Sequence, residues 1–374
     1  MILHLIETGG PGGAEQMLLR LSDEYGRKGV SQMVCLRKEG WLADEVRKRG
    51  LPLEIEPTRK LPDFGWLRKF SQLSKARKIT AIHAHEFAMN VRGALLGRYL
   101  GVPVVATVHG RGYYAEKWIR RQAYRLVSRS ANLIAVSEDI RRHLISRCGI
   151  KSHRVSLILN GVDIDHFKPD EEKRRVFRNL FDVSDDHMLL GCIGSYYPVK
   201  GHYYLIEAMK GLTAIDRNVK LVLAGQGPLR EELHRQAAER GLKDSVVIAG
   251  YIEDIPGLLS ALDIFVMPSL SEGLPLALLE AAASKRSILA TNVGGIPEIV
   301  THMESGWLVP PGNIEALTDA LVTLRDPQMR LKMASRVYAK VKKSWSLQHT
   351  ADRYLNLLLP ELSAVNTLLQ RSIQ

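Results

Sequence analysis

Apolar and polar positions fall into alternating blocks along the chain. Short, nearly continuous apolar runs occur at Ile2–Ile6, Gln32–Leu36, Ala81–Ala84, Val104–Val108 and Leu133–Val136. A second series follows at Leu189–Ile193, Lys220–Ala224, Val246–Ala249, Ile264–Met267 and Ser287–Ala290. Runs of this length without polar alternation read as strands buried on both faces, the habit of parallel sheets. Between them lie segments with helical spacing of apolar residues, among them Ala14–Gly26, Asp170–Phe181, Tyr203–Met209, Leu229–Arg240, Ala316–Leu324 and Leu347–Leu358. Strand and helix in alternation predict an α/β protein with helices on both faces of each sheet. Two such series in 374 residues predict two doubly wound, Rossmann-like domains. The turn sequence Asn160-Gly161-Val162-Asp163 marks the join. The expected division is 1–167, 168–346, and a last segment, 347–374, that crosses back to the first domain.

In open α/β sheets, ligands bind outside the carboxyl ends of the strands. The glycine-rich loops fall there. Gly9-Gly10-Pro11-Gly12-Gly13 follows the first run, His109-Gly110 follows Val104–Val108, Gly194 follows Leu189–Ile193, and Gly225-Gln226-Gly227 follows Lys220–Ala224. The most informative stretch is Pro268 to Ala281, after Ile264–Met267. It places Glu272 and Glu280 eight positions apart across a turn that opens into a helix. Gly273 lets the backbone approach a ligand, and Pro275 suits the first helical turn. The free amides of Leu276 and Ala277 then make a site for phosphate.

Composition narrows the partners. The apolar fraction of 45% and charged fraction of 25% are those of an ordinary soluble protein. No apolar run reaches membrane-spanning length, and Met1–Ile6 lacks the basic lead of a signal peptide. Cys35, Cys148 and Cys192 are far apart and read as reduced thiols in a cytoplasmic protein. The net charge of +12 lies wholly in the first half. Residues 1–165 hold 28 Lys/Arg against 16 Asp/Glu, whereas the remainder holds 24 of each. Such a field favours an anionic partner. Two basic stretches with interleaved Trp and aliphatic residues, Trp66–Lys78 and Lys117–Val127, read as helices that rest on an anionic membrane surface, or as surface helices whose Trp packs inward. Helix-turn-helix, zinc-finger and RNA-binding signatures are missing, so no nucleic acid partner is expected. Asp163-Ile164-Asp165 has the form of a metal-binding pair but sits at the domain join without a His/Cys cluster, and no metal is expected.

The motifs together resemble those of family 4 retaining glycosyltransferases (glycosyl transferases group 1) with the GT-B fold. The resemblance rests on Gly9–Gly13 with Ala14-Glu15, His83-Ala84-His85, Val108-His109-Gly110, Asn160–Asp163, Lys200-Gly201, Leu223–Arg230, Asp263–Ala281, Gly294–Val300 and Gly306–Gly312, and so spans nearly the whole chain. It implies two domains facing each other across a cleft, with acceptor on the first and a nucleotide-sugar donor, most commonly UDP-linked, on the second. It implies a lipid-linked, lipopolysaccharide or polysaccharide acceptor, a peripheral place on the inner face of the membrane, and no cofactor or metal. The catalytic residues it implies are Lys200 for the phosphates, Glu272 for the transferred sugar and His109 beside that sugar. Glu280 would hold the ribose hydroxyls. Gly12, Gly13, Ser195, Gly225, Gly227, Ile252, Gly273, Leu274, Leu276 and Ala277 would line the ligand. Ser195 departs from the family pattern, which often has Arg there, and Arg111 is a candidate for the missing charge. A nucleotide-sugar epimerase of the same fold, a non-catalytic nucleotide-sugar-binding protein and a NAD-dependent dehydrogenase are the alternatives. The last lacks a clean Gly-x-Gly-x-x-Gly fingerprint with its acid.

Overall fold

The computed structural model describes residues 1–57, 63–110 and 118–361. Arg111 and Lys117 lie outside them, as do the chain's last 13 residues, 362–374. The chain forms two compact units. One comprises Met1–Asn160 and the segment from Leu347; the other is Gly161–Ser346.

The first unit holds seven strands: β1 Ile2–Leu5, β2 Gln32–Leu36, β3 Leu53–Ile55, β4 Ala81–His85, β5 Val104–Val108, β6 Asn132–Ala135 and β7 Val155–Leu157. They pair in the order β3-β2-β1-β4-β5-β6-β7, every neighbouring pair parallel. Strands β1, β2, β4 and β5 are buried along their whole length. That explains why their sequences show no polar alternation. The first helix, Gly13–Arg27, buries Met17, Leu18, Leu21 and Tyr25, one stripe of its surface. Helix Leu347–Leu358 packs on the same unit. Thr350 Oγ1 donates to Leu159 O at 3.0 Å, Arg353 Nη2 donates to Leu157 O at 2.6 Å, and Lys28 pairs with Asp352 at 2.8 Å.

The second unit holds β8 Met188–Ile193, β9 Val219–Ala224, β10 Val246–Gly250, β11 Ile264–Met267, β12 Ser287–Thr291 and β13 Trp307–Val309. The order β10-β9-β8-β11-β12-β13, again all parallel, is the doubly wound 3-2-1-4-5-6 order of a dinucleotide-binding sheet. Its core runs from Leu190 and Cys192 through Leu221 and Leu223 to Val266, Leu289 and Leu317. Asp263 locks the base of this sheet. It accepts from Arg174 and Arg178 at 3.0 and 3.1 Å and from the Leu189 amide at 2.8 Å. Residues 161–167, which the sequence grouped with the first domain, pack with the second unit instead. Val162 N donates to Trp345 O at 2.8 Å, and Phe167 O accepts from Ser284 Oγ at 2.8 Å.

The basic stretches part ways. In helix Phe64–Ala76, Trp66 is 3% exposed and stacks on the fully buried Phe70, so the membrane-facing reading of that stretch fails. These two rings cover the sheet. In helix Trp118–Ser130, Trp118, Ile119 and Leu126 are 70%, 73% and 62% exposed, with Arg125 and Arg129 on the same side. No described helix is long and apolar enough to cross a membrane.

Candidate active site

The densest group of sequence-implied residues lies at the carboxyl ends of the second sheet. The chain leaves β8 at Gly194, passes Ser195, which is exposed, and makes a tight turn at Pro198–Lys200. Gly201 follows at φ +69°, and a side chain there would stand 2.0 Å from Pro268 O. Glycine is therefore required where the lysine loop meets the end of β11. The Leu270 amide, donating to Val199 O at 2.7 Å, ties the two loops together. Lys200 Nζ donates to Glu272 Oε1 at 2.7 Å, and Ser269 Oγ donates to the same oxygen at 2.7 Å. Thr291 Oγ1 in turn donates to Ser269 O at 2.5 Å. The Glu272 side chain is 7% exposed, so the pair is held largely out of water.

The loop after β12 supports Glu272 from behind. Gly294 adopts φ +56°, and a Cβ there would stand 2.1 Å from Glu272 O. The Gly295 amide donates to Gly273 O at 2.7 Å. Glu298 sits in the first turn of the helix that follows, whose cap is Gly295.

Helix Leu276–Ala283 starts directly after the Glu272 loop that follows β11, with Pro275 as its cap rather than inside its first turn. Its first helical bond runs from Leu279 N to Pro275 O, which leaves the amides of Leu276 and Ala277 outside the helical ladder. Glu280 is buried, not exposed as an ordinary helix acid would be. Leu274 and Leu276 are buried beside it, whereas Gly273 and Ala277 are half-buried.

Tyr196, which sequence reasoning passed over, organises the opposite rim. Its ring is fully buried, and its hydroxyl donates to Leu223 O at 2.7 Å and accepts from the Gly250 amide at 3.3 Å. Its own amide donates to Gln226 O at 2.8 Å. A Cβ on Gly225 would lie 1.9 Å from Gly194 O, and one on Gly227 would lie 2.6 Å from Tyr196 O. The loops after β8 and β9 thus lie in direct backbone contact. Ile252, half-buried, follows β10. Lys200, Glu272, Gly273, Gly225 and Gly227 belong to one set of touching loops.

Gly12, Gly13 and His109 belong to the first unit. Gly12 caps helix Gly13–Arg27, and Leu42 N donates to Gly9 O at 3.0 Å to hold the loop. Beside it, Glu86 Oε2 accepts from Thr8 N and Oγ1 at 3.3 and 3.0 Å. Glu86 has φ +66°, which is unusual for a residue with a side chain, and burial pushes its carboxyl up to about 7, with Glu15 adding to the shift. His109 Nε2 meets His85 Nδ1 at 3.0 Å, and burial pushes the His109 ring down to about 4, so it is neutral at pH 7. Asp163 Oδ1 accepts from the amides of Asp165 and His166, both at 3.0 Å, and so closes a local turn.

A parallel sheet with glycine loops, free helix-start amides, one lysine and paired carboxylates at its carboxyl ends defines a nucleotide-binding enzyme of the Rossmann class. Comparison with known proteins gives the family. Residues 11–166 match the model described as Glycosyltransferase Family 4, and residues 187–326 match Glycosyl transferases group 1. The chain is 30% identical over 278 residues to the alpha-D-kanosaminyltransferase of Streptomyces kanamyceticus, covering 69% of this chain and 71% of that one. It is 27% identical over 334 residues to the UDP-Gal:alpha-D-GlcNAc-diphosphoundecaprenol alpha-1,3-galactosyltransferase of Escherichia coli, covering 85% of each. The structure of Anabaena HepE in complex with UDP superposes with a TM-score of 0.85 at 24% identity, over 96% of this chain and 99% of that one. The chain belongs to the group 1, family 4 glycosyltransferases and has the GT-B class of fold.

Proposed function

We propose that this glycosyltransferase moves a sugar from a UDP-sugar to a lipid-linked or polysaccharide acceptor, with retention of configuration at the anomeric carbon. The observation that carries the reading is the Lys200–Glu272 pair beside the free amides of Leu276 and Ala277. The leaving group is a nucleoside diphosphate, so catalysis needs positive potential on two phosphates more than a strong base. Lys200 and the two amides supply it. A diphosphate competes with Glu272 for Lys200, and the freed carboxylate turns to hydroxyls of the transferred sugar. The buried Glu280 accepts from the ribose hydroxyls. The bond from the anomeric carbon to the diphosphate oxygen breaks as the acceptor oxygen attacks the same face. A phosphate oxygen takes the acceptor proton, and no enzyme nucleophile is needed. Charge neutralisation by Lys200 and amides makes a metal at the diphosphate unnecessary in this reading.

The UDP named with the Anabaena structure and the UDP-galactose in the name of the Escherichia coli relative favour uracil as the base. The diphosphoundecaprenol in the latter's name favours an acceptor held at a membrane. The exposed Trp118, Ile119 and Leu126 with Arg125 and Arg129 suit peripheral contact with anionic lipid. A peripheral place at the cytoplasmic face of the membrane belongs to this reading. Proton NMR of the product formed from a UDP-sugar panel with lipid-linked acceptors tests the proposal. A new α-linkage from an α-linked donor is expected; an inverted linkage, or sugar conversion without acceptor, would overturn it.

A further inference from the structure

Strands β1 and β4 place His4, His83 and His85 on one face of the first sheet. His4 lies directly across from His83, and His83 and His85 are two residues apart on β4. All three are fully buried. The ring centroids of His83 and His85 are 4.2 Å apart, and those of His4 and His83 are 5.5 Å apart. One nitrogen of each ring is engaged outward. His4 Nε2 lies 3.1 Å from Gln32 Oε1, His83 Nε2 lies 3.0 Å from Thr107 Oγ1, and His85 Nδ1 lies 3.0 Å from His109 Nε2. The other nitrogen of each (His4 Nδ1, His83 Nδ1 and His85 Nε2) is buried without a partner.

The outward partners fix two of the tautomers. Gln32 Nε2 donates to Ser22 O at 2.9 Å, so its carbonyl oxygen is the acceptor that faces His4, and His4 carries its proton on Nε2. Thr107 Oγ1 donates to Tyr354 OH at 3.5 Å and so accepts from His83 Nε2. Two bare lone pairs, on His4 Nδ1 and His83 Nδ1, are thus left in the dry interior, and His85 Nε2 stands unpartnered beside them. A buried acceptor without a donor is costly to leave unpaired. Neutral imidazoles oriented by a second hydrogen bond on the far nitrogen are the usual form of metal-ligating histidine.

We propose that His4, His83 and His85 bind one divalent transition cation of the zinc type inside the first unit, as a structural ion. Ring nitrogens of the three side chains lie within 4.8 Å of one another. Zinc–nitrogen bonds of about 2.0–2.1 Å put tetrahedral ligands about 3.4 Å apart, so each pair closes by no more than about 1.4 Å on binding. Burial keeps all three rings in the neutral, ligating form; it pushes His4 down to about 4 and the other two well below their ordinary value. Three imidazoles select Zn²⁺, Co²⁺ or Ni²⁺ over Mg²⁺ or Ca²⁺. The ion lies in the unit that does not contain Lys200 and Glu280, and its one link to the implied sugar site is the contact of His85 with His109.

Because the rings are fully buried, the ion enters as the unit folds. The test is refolding of the full chain from denaturant with Co²⁺, then with Zn²⁺, followed by desalting, metal analysis and X-ray absorption. About one ion per chain, visible Co²⁺ absorption and scattering from three imidazoles are expected. His4→Gln and His83→Gln are each expected to abolish binding while retaining the outward hydrogen bond. Folded wild type that retains no metal would overturn the proposal. Metal retained in both variants, or fewer than two imidazoles in the wild-type spectrum, would do the same, and the spectrum decides if a variant does not fold.

Discussion

Lys200 Nζ and Glu272 Oε1 lie 2.7 Å apart although 72 residues separate them in the chain. The pair joins the loop after β8 to the loop after β11. Each residue holds the other in place, and in the proposed mechanism a diphosphate takes the lysine and frees the carboxylate. Breaking it removes the one lysine in that set of loops and leaves a largely buried carboxylate with Ser269 but without its cation. Lys200→Ala is expected to lower kcat by about 10²–10³-fold with the fold retained. Glu272→Gln is expected to lower it comparably, and the double variant by much less than the product of the two. Steady-state kinetics at saturating donor checks this. Near-normal turnover of Lys200→Ala would remove the lysine from the mechanism.

The glycines make a paired stability prediction. Gly294→Ala forces a side chain into a left-handed backbone and against Glu272 O, at a cost of about 1–3 kcal/mol from the backbone alone. A lowered Tm with loss of activity is expected, because Glu272 moves with the loop. Gly26→Ala, inside helix Gly13–Arg27 with open space around it, is expected to raise stability by about 0.5–1 kcal/mol. Thermal denaturation of both variants measures the contrast.

Both sheets were readable in their long apolar runs, because strands buried on both faces leave an unbroken signature. The three-residue strands β3, β7 and β13 give no strand signal in the sequence, since a run that short has no measurable period. At the site, Lys200, Glu272 and Glu280 stood out as chemistry-bearing residues in loops at strand ends. Tyr196 did not, because a buried tyrosine between two loops looks like any other core aromatic until its hydroxyl partners are seen. His4 was hidden for a related reason. It joins His83 only across two strands that are 79 residues apart in sequence. Trp66 and Trp118 sat in similar basic contexts, and only the packing against Phe70 separates them.

Acid sensitivity follows from His202. It is buried against Tyr196 at a centroid distance of 5.3 Å, with neither ring nitrogen bonded, and burial pushes it down to about 4. A base with a depressed folded pKa takes up its proton first in the unfolded chain. Its contribution is therefore complete above the unfolded value near 6.5 and is lost as pH falls from there to about 4. Relative to His202→Phe, which keeps the ring packing, the wild type is expected to lose about 3 kcal/mol more between pH 7 and pH 4. Denaturant unfolding at both pH values reads this directly; parallel pH profiles would show that His202 is not held neutral.

Membrane contact makes a prediction that separates the two tryptophans. Trp118→Ser is expected to weaken binding to anionic vesicles about tenfold, as loss of roughly 1.4 kcal/mol of interfacial burial would. Its Tm should not change, because Trp118 is exposed. Trp66→Ser is expected to lower Tm instead, through the loss of a core ring. Vesicle cosedimentation at two salt concentrations checks the electrostatic part, which weakens as salt rises.

Calorimetric titration of UDP into the wild type and into Glu280→Ala, each with and without EDTA, tests most directly whether the second unit holds a nucleoside diphosphate as proposed. Binding to the wild type unchanged by EDTA, and weakened at least tenfold by Glu280→Ala, is the expected result. Absence of UDP binding, or equal affinity in the variant, would contradict the donor site.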